Sequence, residues 1–182
     1  ELYRWRGRAR DAGARGDILE RLDGGNTGAI AVVERGAGPT VALRVDIDAL
    51  PIEEAAAADH HPAAAGFRSE HQGYMHACGH DAHTAIGIGV LDSVLDSDFA
   101  GTLKVCFQPG EERIVGGEPM AESGHLDALD YPPAVHVGLD HPSGEVVAGI
   151  HGFPAVAQFE AQFRGPPAHD GTRPEPGHDP VD

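Results

Sequence analysis

The sequence predicts an α/β fold, because buried strands alternate with a helix along much of the chain. Residues 40–47 contain a nearly continuous apolar run, typical of a strand covered on both faces, and residues 103–107 read as a second strand. Between these strands, apolar side chains in residues 82–95 recur every three to four positions, the spacing of an amphipathic helix. Strands interleaved with a helix in this way favour a sheet with helices packed against it.

Shorter patterns predict the remaining elements. Residues 55–66 are rich in alanine and histidine, and Pro62 excludes a long helix, so we predict a surface loop with one helical turn. Brief apolar runs predict further strands, at residues 29–33, 134–137 and 146–150. Weaker helical patterns predict short helices, at residues 18–22 and 118–124.

The pattern changes near residue 153. In residues 156–163, apolar side chains alternate with glutamine and glutamate, which indicates a strand with one face in water, as in an antiparallel sheet. The earlier strands were apolar on both sides. We therefore predict one domain over residues 1–152 and the beginning of a second over residues 153–182.

The composition argues against several classes of partner. The chain has 13 basic and 29 acidic residues and a net charge of −16, which argues against nucleic acid and anionic membranes, because both need a basic face. No apolar run reaches the roughly 18 residues of a membrane span. Two cysteines imply no disulfide framework, and the arginine-rich first residues lack the apolar stretch of a signal peptide. We therefore expect a cytoplasmic protein.

The acid excess comes with a single lysine, Lys104, and has two explanations. A dense acidic surface stays soluble in concentrated salt, where its self-repulsion is screened, so the first explanation is adaptation to high salt. The second is an ordinary acidic protein from a GC-rich genome, which would also favour arginine over lysine. The composition leaves both open.

The densest group of reactive side chains lies in residues 71–83, which contain four histidines, Cys78 and Asp81. Cys78 and His80 stand two positions apart across a glycine, so a thiolate and an imidazole can chelate one metal ion or flank two. The cluster comes directly before the predicted helix, which turns and fixes the backbone there. The alternative is a polar loop whose histidines are merely exposed.

Further candidates lie at or after strands. Glu111 and Glu112 are adjacent carboxylates that repel each other; a bound divalent cation would offset the repulsion, so one could ligate while the other acts as a base. His136, in an otherwise apolar strand, must either satisfy its ring nitrogens or bind metal. Asp48 is a natural partner for a ligating imidazole. The alternative for the glutamate pair is a solvated turn, that for His136 is a satisfied core histidine, and that for Asp48 is a helix or turn cap.

These segments carry a resemblance. Residues 43–52, Leu-Arg-Val-Asp-Ile-Asp-Ala-Leu-Pro-Ile, resemble the Arg-x-Asp-Met-Asp-Ala-Leu-Pro signature of the M20 metallopeptidase family, in its amidohydrolase branch. Residues 75–83 are similar to that branch's Met-His-Ala-Cys-Gly-His-Asp-x-His motif. Residues 107–112 resemble its Phe-Gln-Pro-Ala-Glu-Glu motif, with Gly110 in place of alanine. The segment around His136 matches a fourth motif, and all four occur in the family's order.

Within the branch, one group is most similar. The segments that carry this likeness are residues 66–69, 134–138 and 167–175, and they resemble the aminobenzoyl-glutamate utilisation protein A group. Hippurate hydrolases and indole-acetyl-amino-acid hydrolases are neighbouring groups. The resemblance implies a zinc-peptidase-like catalytic domain with a central mixed sheet flanked by helices. It also implies that the second domain is the start of a ferredoxin-like α+β dimerisation domain, and that the full protein is a homodimer.

The resemblance also implies the roles of individual residues. The ligands of two divalent ions (Zn, Mn or Co) would be Cys78, which bridges them, His80, Glu112 and His136. Glu111 would be the general base that activates water and passes its proton to the leaving amine, and Asp48 would support the metal ligands. His169 would reach a partner subunit's active site and stabilise the oxyanion.

The implied activity is hydrolysis of the amide bond of N-acyl or N-aroyl amino acids. Nothing in residues 1–27 resembles the family's Leu-His-x-x-Pro-Glu motif, and the chain ends before the family's last histidine ligand. We therefore expect a fragment of a longer protein, which could be an inactive metal-binding remnant. A third possibility is an aminopeptidase or dipeptidase of the same superfamily. Cys78 argues against it, because the metal sites of those peptidases resemble carboxylate-bridged sites and this chain has a cysteine at that place in the motif.

Overall fold

The computed structural model describes residues 10, 11, 13, 15–21, 27–138 and 141–149 of the 182-residue chain. Internal contacts divide the chain into two compact units, Glu1–His141 and Pro142–Asp182. All the elements described below belong to the first unit. Among the described residues, no helix is both long and apolar enough to cross a membrane.

A three-stranded mixed sheet forms the centre of the first unit. Its strands are β1 (Ala29–Arg35), β2 (Thr40–Asp46) and β3 (Gly101–Gln108), in the order β1-β3-β2. The central strand β3 pairs antiparallel with β1 and parallel with β2. The predicted α/β class and the three strands predicted in this region are confirmed.

Helices complete the fold: α1 (Gly16–Arg21), α2 (His61–Ala64), α3 (His80–Leu95) and α4 (Gly117–Glu122). The single turn of α2 confirms the expected turn in the alanine-rich loop, where Pro62 occupies a first-turn position that tolerates proline. The strongest predicted helix is also confirmed, as α3, and it begins two residues earlier than predicted. Its first residue is therefore the histidine of the candidate metal cluster.

The core lies between α3 and the parallel strand pair. Four apolar side chains of these two strands form its buried centre: Leu43, Val45, Leu103 and Val105. Helix α3 approaches them closely at Gly87, where a Cβ atom would lie 3.0 Å from Val45 and 3.3 Å from Val105. A glycine in mid-helix therefore sets how near the helix lies to the sheet.

The strand predicted over residues 134–137 is wrong. This segment makes two isolated parallel bridges to β2, Val41 with Tyr131 and Arg44 with Ala134. The N–H of Ala42 donates to the carbonyl of Tyr131. In a regular parallel ladder, the residue at position 133 would donate its N–H to the carbonyl of Ala42, but this residue is Pro133. Proline has no N–H to donate, so the ladder is interrupted although the segment still lies along the strand.

The strand predicted over residues 146–150 is also wrong where the structure describes it. Residues 146–149 form no strand, and Val146 is 96% exposed. Val146 and Val147 have no strand neighbour in the described part of the chain, and both are exposed. The alternating segment 156–163 and the boundary after residue 152 lie outside the described residues, so the beginning of a dimerisation domain stays a prediction.

Candidate metal centre

Four segments converge at one edge of the sheet. In the parallel pair, Asp46 at the end of β2 lies opposite Gln108 at the end of β3, so the residues that follow both strands leave from the same edge. The parallel bridge between Arg44 and Ala134 brings the segment containing His136 to this edge. Helix α3 begins there as well, since its first residue contacts Asp48.

His80 occupies the middle of this convergence and is almost completely buried. Its Nδ1 donates a hydrogen bond to the backbone carbonyl of Asp48 at 3.0 Å, which places the ring proton on Nδ1 and the lone pair on Nε2. Nε2 has no hydrogen-bond partner among the described residues. It lies 3.7 Å from Oε1 of Glu112, 3.9 Å from Oε2 of Glu111 and 3.7 Å from Oδ1 of Asp46, so three carboxylates lie near this nitrogen.

Cys78 and His136 lie on another side of the same centre. The Sγ atom of Cys78 is 3.7 Å from Nε2 of His136, and Nδ1 of His136 donates to the carbonyl of Val137 at 2.8 Å. Burial raises the pKa of the Cys78 thiol, and the nearby carboxylates, chiefly Glu112, raise it further. A bound cation would reverse this electrostatic balance and favour the thiolate.

Asp48 joins the helix to the turn that carries the glutamate pair. Its carboxylate Oδ2 accepts a hydrogen bond from the backbone N–H of Glu112 at 3.1 Å, while its carbonyl holds His80. Gly110 turns the chain here with φ of +63°, a conformation that glycine adopts without strain. The turn brings Glu111 and Glu112 to the same imidazole and leaves Glu111 the more exposed, with 40% of its side chain accessible.

The donor atoms are close enough to hold a metal ion. The ligand atoms of Cys78, His80 and His136 all lie within 4.8 Å of one another, and so do those of His80, Glu111 and Glu112. The two sets share His80, whose buried Nε2 lacks a hydrogen-bond partner in the described region, a defect that a cation would repair. Taken together, the two sets offer sulfur, nitrogen and oxygen donors, which suit zinc and other borderline divalent ions.

Asp46 and His83 belong to the site, although the sequence assigned them no role. Both side chains are fully buried, and Nδ1 of His83 donates to Oδ1 of Asp46 at 2.5 Å. Nε2 of His83 accepts the backbone N–H of Val137 at 2.8 Å, and Nη1 of Arg44 lies 2.7 Å from Oδ2 of Asp46. Burial raises the pKa of Asp46, but the His83 hydrogen bond and the charge of Arg44 outweigh it and leave the pKa below its usual value.

One signal in the sequence could have identified His83. His83 follows His80 by three positions on α3, so the two rings lie on one helix face, and their centroids are 5.4 Å apart.

The structure brings together six of the seven residues proposed from the sequence: Asp48, Cys78, His80, Glu111, Glu112 and His136. The seventh, His169, lies outside the described residues.

The site falls inside a region that matches known proteins. The family model described as Peptidase family M20/M25/M40 matches residues 42–174. The chain is 44% identical over 174 residues to a subunit of the p-aminobenzoyl-glutamate hydrolase of Escherichia coli (strain K12), covering 94% of this chain and 40% of that protein. It is 44% identical over 174 residues to the indole-3-acetyl-aspartic acid hydrolase of Enterobacter agglomerans, covering 93% of this chain and 40% of that protein.

A solved structure agrees with these relatives. The chain is similar to a Bacillus subtilis protein described as a dinuclear metal binding peptidase from the M20 family, with a TM-score of 0.54 and 38% identity, covering 66% of this chain and 33% of that chain. The chain thus spans less than half the length of the relatives it matches. Because the family model covers most of β2, all of α3 and β3, and every described donor of the candidate metal centre, the chain belongs to the peptidase family M20/M25/M40.

Proposed function

We propose that this chain is part of a metal-dependent amidohydrolase that cleaves the amide bond of N-acyl or N-aroyl amino acids. The observation that carries the proposal is the position of Glu111, a half-exposed carboxylate at the edge of a convergent donor set. It lies 3.9 Å from Nε2 of His80, which has no hydrogen-bond partner among the described residues. The names of the two similar hydrolases support an aromatic acyl group joined to an acidic amino acid as substrate.

In this proposal, two divalent ions would be held by Cys78, His80, Glu112 and His136, and Asp48 would fix His80 and the turn that carries Glu112. The ions would polarise the amide carbonyl and make water a better nucleophile near neutral pH. Zinc, manganese and cobalt all suit these donors. The description of the Bacillus subtilis structure as dinuclear supports the number of ions.

Glu111 would move the proton. As the water oxygen bonds to the carbonyl carbon, the carboxylate of Glu111 takes a proton from the water. When the carbon–nitrogen bond breaks, Glu111 gives this proton to the leaving nitrogen. The products are a carboxylic acid and an amino acid with a free amine. Exposure of Glu111 supports this role, because a general base must reach both water and substrate.

The first experiment replaces Glu111 by Gln in the full-length protein. We expect turnover of p-aminobenzoyl-glutamate to fall by about 10²–10⁴-fold, the range for loss of a general base, while the bound metal measured by elemental analysis stays at the wild-type level. Glu34→Gln, an exposed carboxylate on β1, is the matched control and should change neither quantity. Loss of metal together with activity would assign Glu111 to metal binding instead.

A second candidate function is a peptidase, favoured by the family description and by the Bacillus subtilis neighbour. A panel of dipeptides tested beside p-aminobenzoyl-glutamate and indole-3-acetyl-aspartate distinguishes the two. Faster cleavage of the dipeptides would replace the acyl-amino-acid proposal.

We further propose a cytoplasmic homodimer in which His169 of one subunit contributes to the active site of the other subunit. Mixing Glu111→Gln subunits with His169→Ala subunits tests this proposal, because a mixed dimer would contain one intact site and should recover activity.

A further inference from the structure

We infer that Asp46 and His83 form a buried clamp that positions His136, so that His83 acts on the metal ions through a ligand without binding them. The inference rests on the proposed metal site. The clamp consists of two hydrogen bonds in series: from Nδ1 of His83 to Oδ1 of Asp46 at 2.5 Å, and from the backbone N–H of Val137 to Nε2 of His83 at 2.8 Å.

The hydrogen bonds determine the tautomer of His83. Since Nε2 accepts a backbone N–H, the ring proton must reside on Nδ1, where the Asp46 carboxylate receives it. Both ring nitrogens are therefore committed. Ligand atoms of Asp46, His80 and His83 lie within 4.8 Å of one another, the spacing of a metal site. His83 nevertheless has no lone pair left for a cation. The geometry points to positioning.

The segment that carries His136 needs such a support. Its backbone hydrogen bonds to β2 are interrupted at Pro133, and the last one that the structure shows runs from the N–H of Val135 to the carbonyl of Arg44 at 3.2 Å. The next backbone N–H that the structure shows bonded on this segment is that of Val137, and its acceptor is the His83 side chain. The His83 side chain on α3 therefore fixes the part of this segment that lies beyond its hydrogen bonds to β2.

Packing supports the same direction of influence. The rings of His83 and His136 pack edge to face with centroids 4.7 Å apart. Gly79, directly before α3, lies so close to Val137 that a Cβ atom on it would be 2.4 Å from Cγ2 of that valine. The ring of His83 and the backbone of Gly79 therefore limit where His136 and Val137 can lie. Asp46 is in turn held by Arg44 and by its complete burial.

A double-mutant cycle on metal affinity tests the clamp in the full-length protein. The probe is Co²⁺, measured by competition with a chelating dye and by the sulfur-to-cobalt charge-transfer band of Cys78. We expect His83→Phe to weaken Co²⁺ binding by about 10–100-fold, the range for partners of metal ligands, and to alter the band. His83→Gln, whose amide oxygen can accept the Val137 N–H, should recover part of this loss.

The decisive variant combines His83→Phe with His136→Ala. If His83 acts through His136, the double variant binds Co²⁺ no more weakly than His136→Ala alone; additive losses would overturn the inference. Val105→Ala, a buried core truncation away from the site, is the control for lost stability, and equal weakening in it would also overturn the clamp. If His136→Ala itself leaves affinity unchanged, the metal site is what fails.

Discussion

The carbonyl of Asp48 accepts the Nδ1 proton of His80 at 3.0 Å, and this single hydrogen bond aims the other imidazole nitrogen at the metal donors. The carboxylate of the same aspartate accepts the backbone N–H of Glu112 at 3.1 Å. One residue therefore orients a ligand on the helix through its backbone and a ligand on the turn through its side chain. Substitution of Asp48 leaves this carbonyl in place but also removes Oδ1, which lies 3.3 Å from Nδ1 of His80.

Asp48→Ala should weaken metal binding by about tenfold or more, because the backbone of Glu112 loses the acceptor that holds it. Asp48→Asn retains an oxygen that can accept the same N–H and should stay within about threefold of the wild type. The measurement is Zn²⁺ affinity by competition with a chelating dye. Asp92→Ala, an exposed carboxylate on α3, is the control; equal affinities for the Ala variant and wild type would contradict the role of Asp48.

Alanine substitutions at two glycines on α3, Gly87 and Gly89, should change the stability of the fold in opposite directions. A Cβ atom at Gly87 would lie 3.0–3.3 Å from Val45, Val105 and Phe107, so in Gly87→Ala these packed side chains must shift by a few tenths of an ångström. We expect this overpacking to destabilise the fold by about 1–3 kcal/mol. A Cβ atom at Gly89 would meet nothing within 4 Å, so Gly89→Ala should stabilise the helix by about 0.5–1 kcal/mol. Urea unfolding of both variants tests the difference in sign.

The sequence predicted the sheet and the main helix because their patterns are long and regular. The apolar run of β2 and the three-to-four spacing of α3 follow from burial alone, and neither depends on which other elements lie nearby. The segment at residues 134–137 shows the limit of this reasoning. Its apolar residues do lie along β2, but Pro133 interrupts the ladder. The sequence shows this proline, whereas the bond that it removes depends on which residue of β2 it faces, and that register is set only by the fold.

The candidate ligands could be named from the sequence, whereas the network that orients them could not. Cys78 and His80 are recognisable from their spacing and their motif. The role of Asp46 depends on which nitrogen of His83 faces it and on the backbone N–H of Val137, 54 positions further along the chain. Such a pairing is fixed by the register of strands and by helix placement, so it appears only when the chain is folded.

A buried carboxylate outside the metal centre predicts a pH dependence of stability. Glu54 accepts hydrogen bonds from Nε2 of His60 at 2.8 Å and from the N–H of Ser69 at 2.5 Å. The His60 bond, followed by that of Ser69, holds the pKa of Glu54 below its ordinary value of 4.5. A carboxylate with a lowered pKa in the folded state stabilises that state above its unfolded pKa, and this contribution disappears as the pH falls through the folded pKa.

Glu54→Gln should therefore be less stable than wild type at pH 7, and the difference should shrink below about pH 4.5. Urea unfolding midpoints measured from pH 7 down to about pH 3 give the comparison. Glu34→Gln removes an exposed carboxylate on β1 and serves as the control. A difference between Glu54→Gln and wild type that stays constant across this range would show that the hydrogen bonds of Glu54 do not depend on its charge.

Gly79 and Gly73 separate backbone strain from displacement of the metal ligands. Their φ angles are nearly equal, +82° and +79°, so alanine at either position incurs a similar cost of about 1–2 kcal/mol for the left-handed conformation. A Cβ atom at Gly73 meets no atom within 4 Å, whereas one at Gly79 lies 2.4 Å from Cγ2 of Val137. Only Gly79→Ala must therefore move the segment that carries His136.

Both alanine variants should lose similar stability from strain, while Gly79→Ala should in addition lose metal affinity by about tenfold or more. The measurements are thermal unfolding without metal and Zn²⁺ affinity by dye competition, made on both proteins. Because the strain is common to the pair, the difference in affinity isolates the contact between Gly79 and Val137. Equal affinities in the two variants would mean that the segment can shift by more than an ångström without disturbing the ligand geometry, which would contradict a rigidly positioned His136.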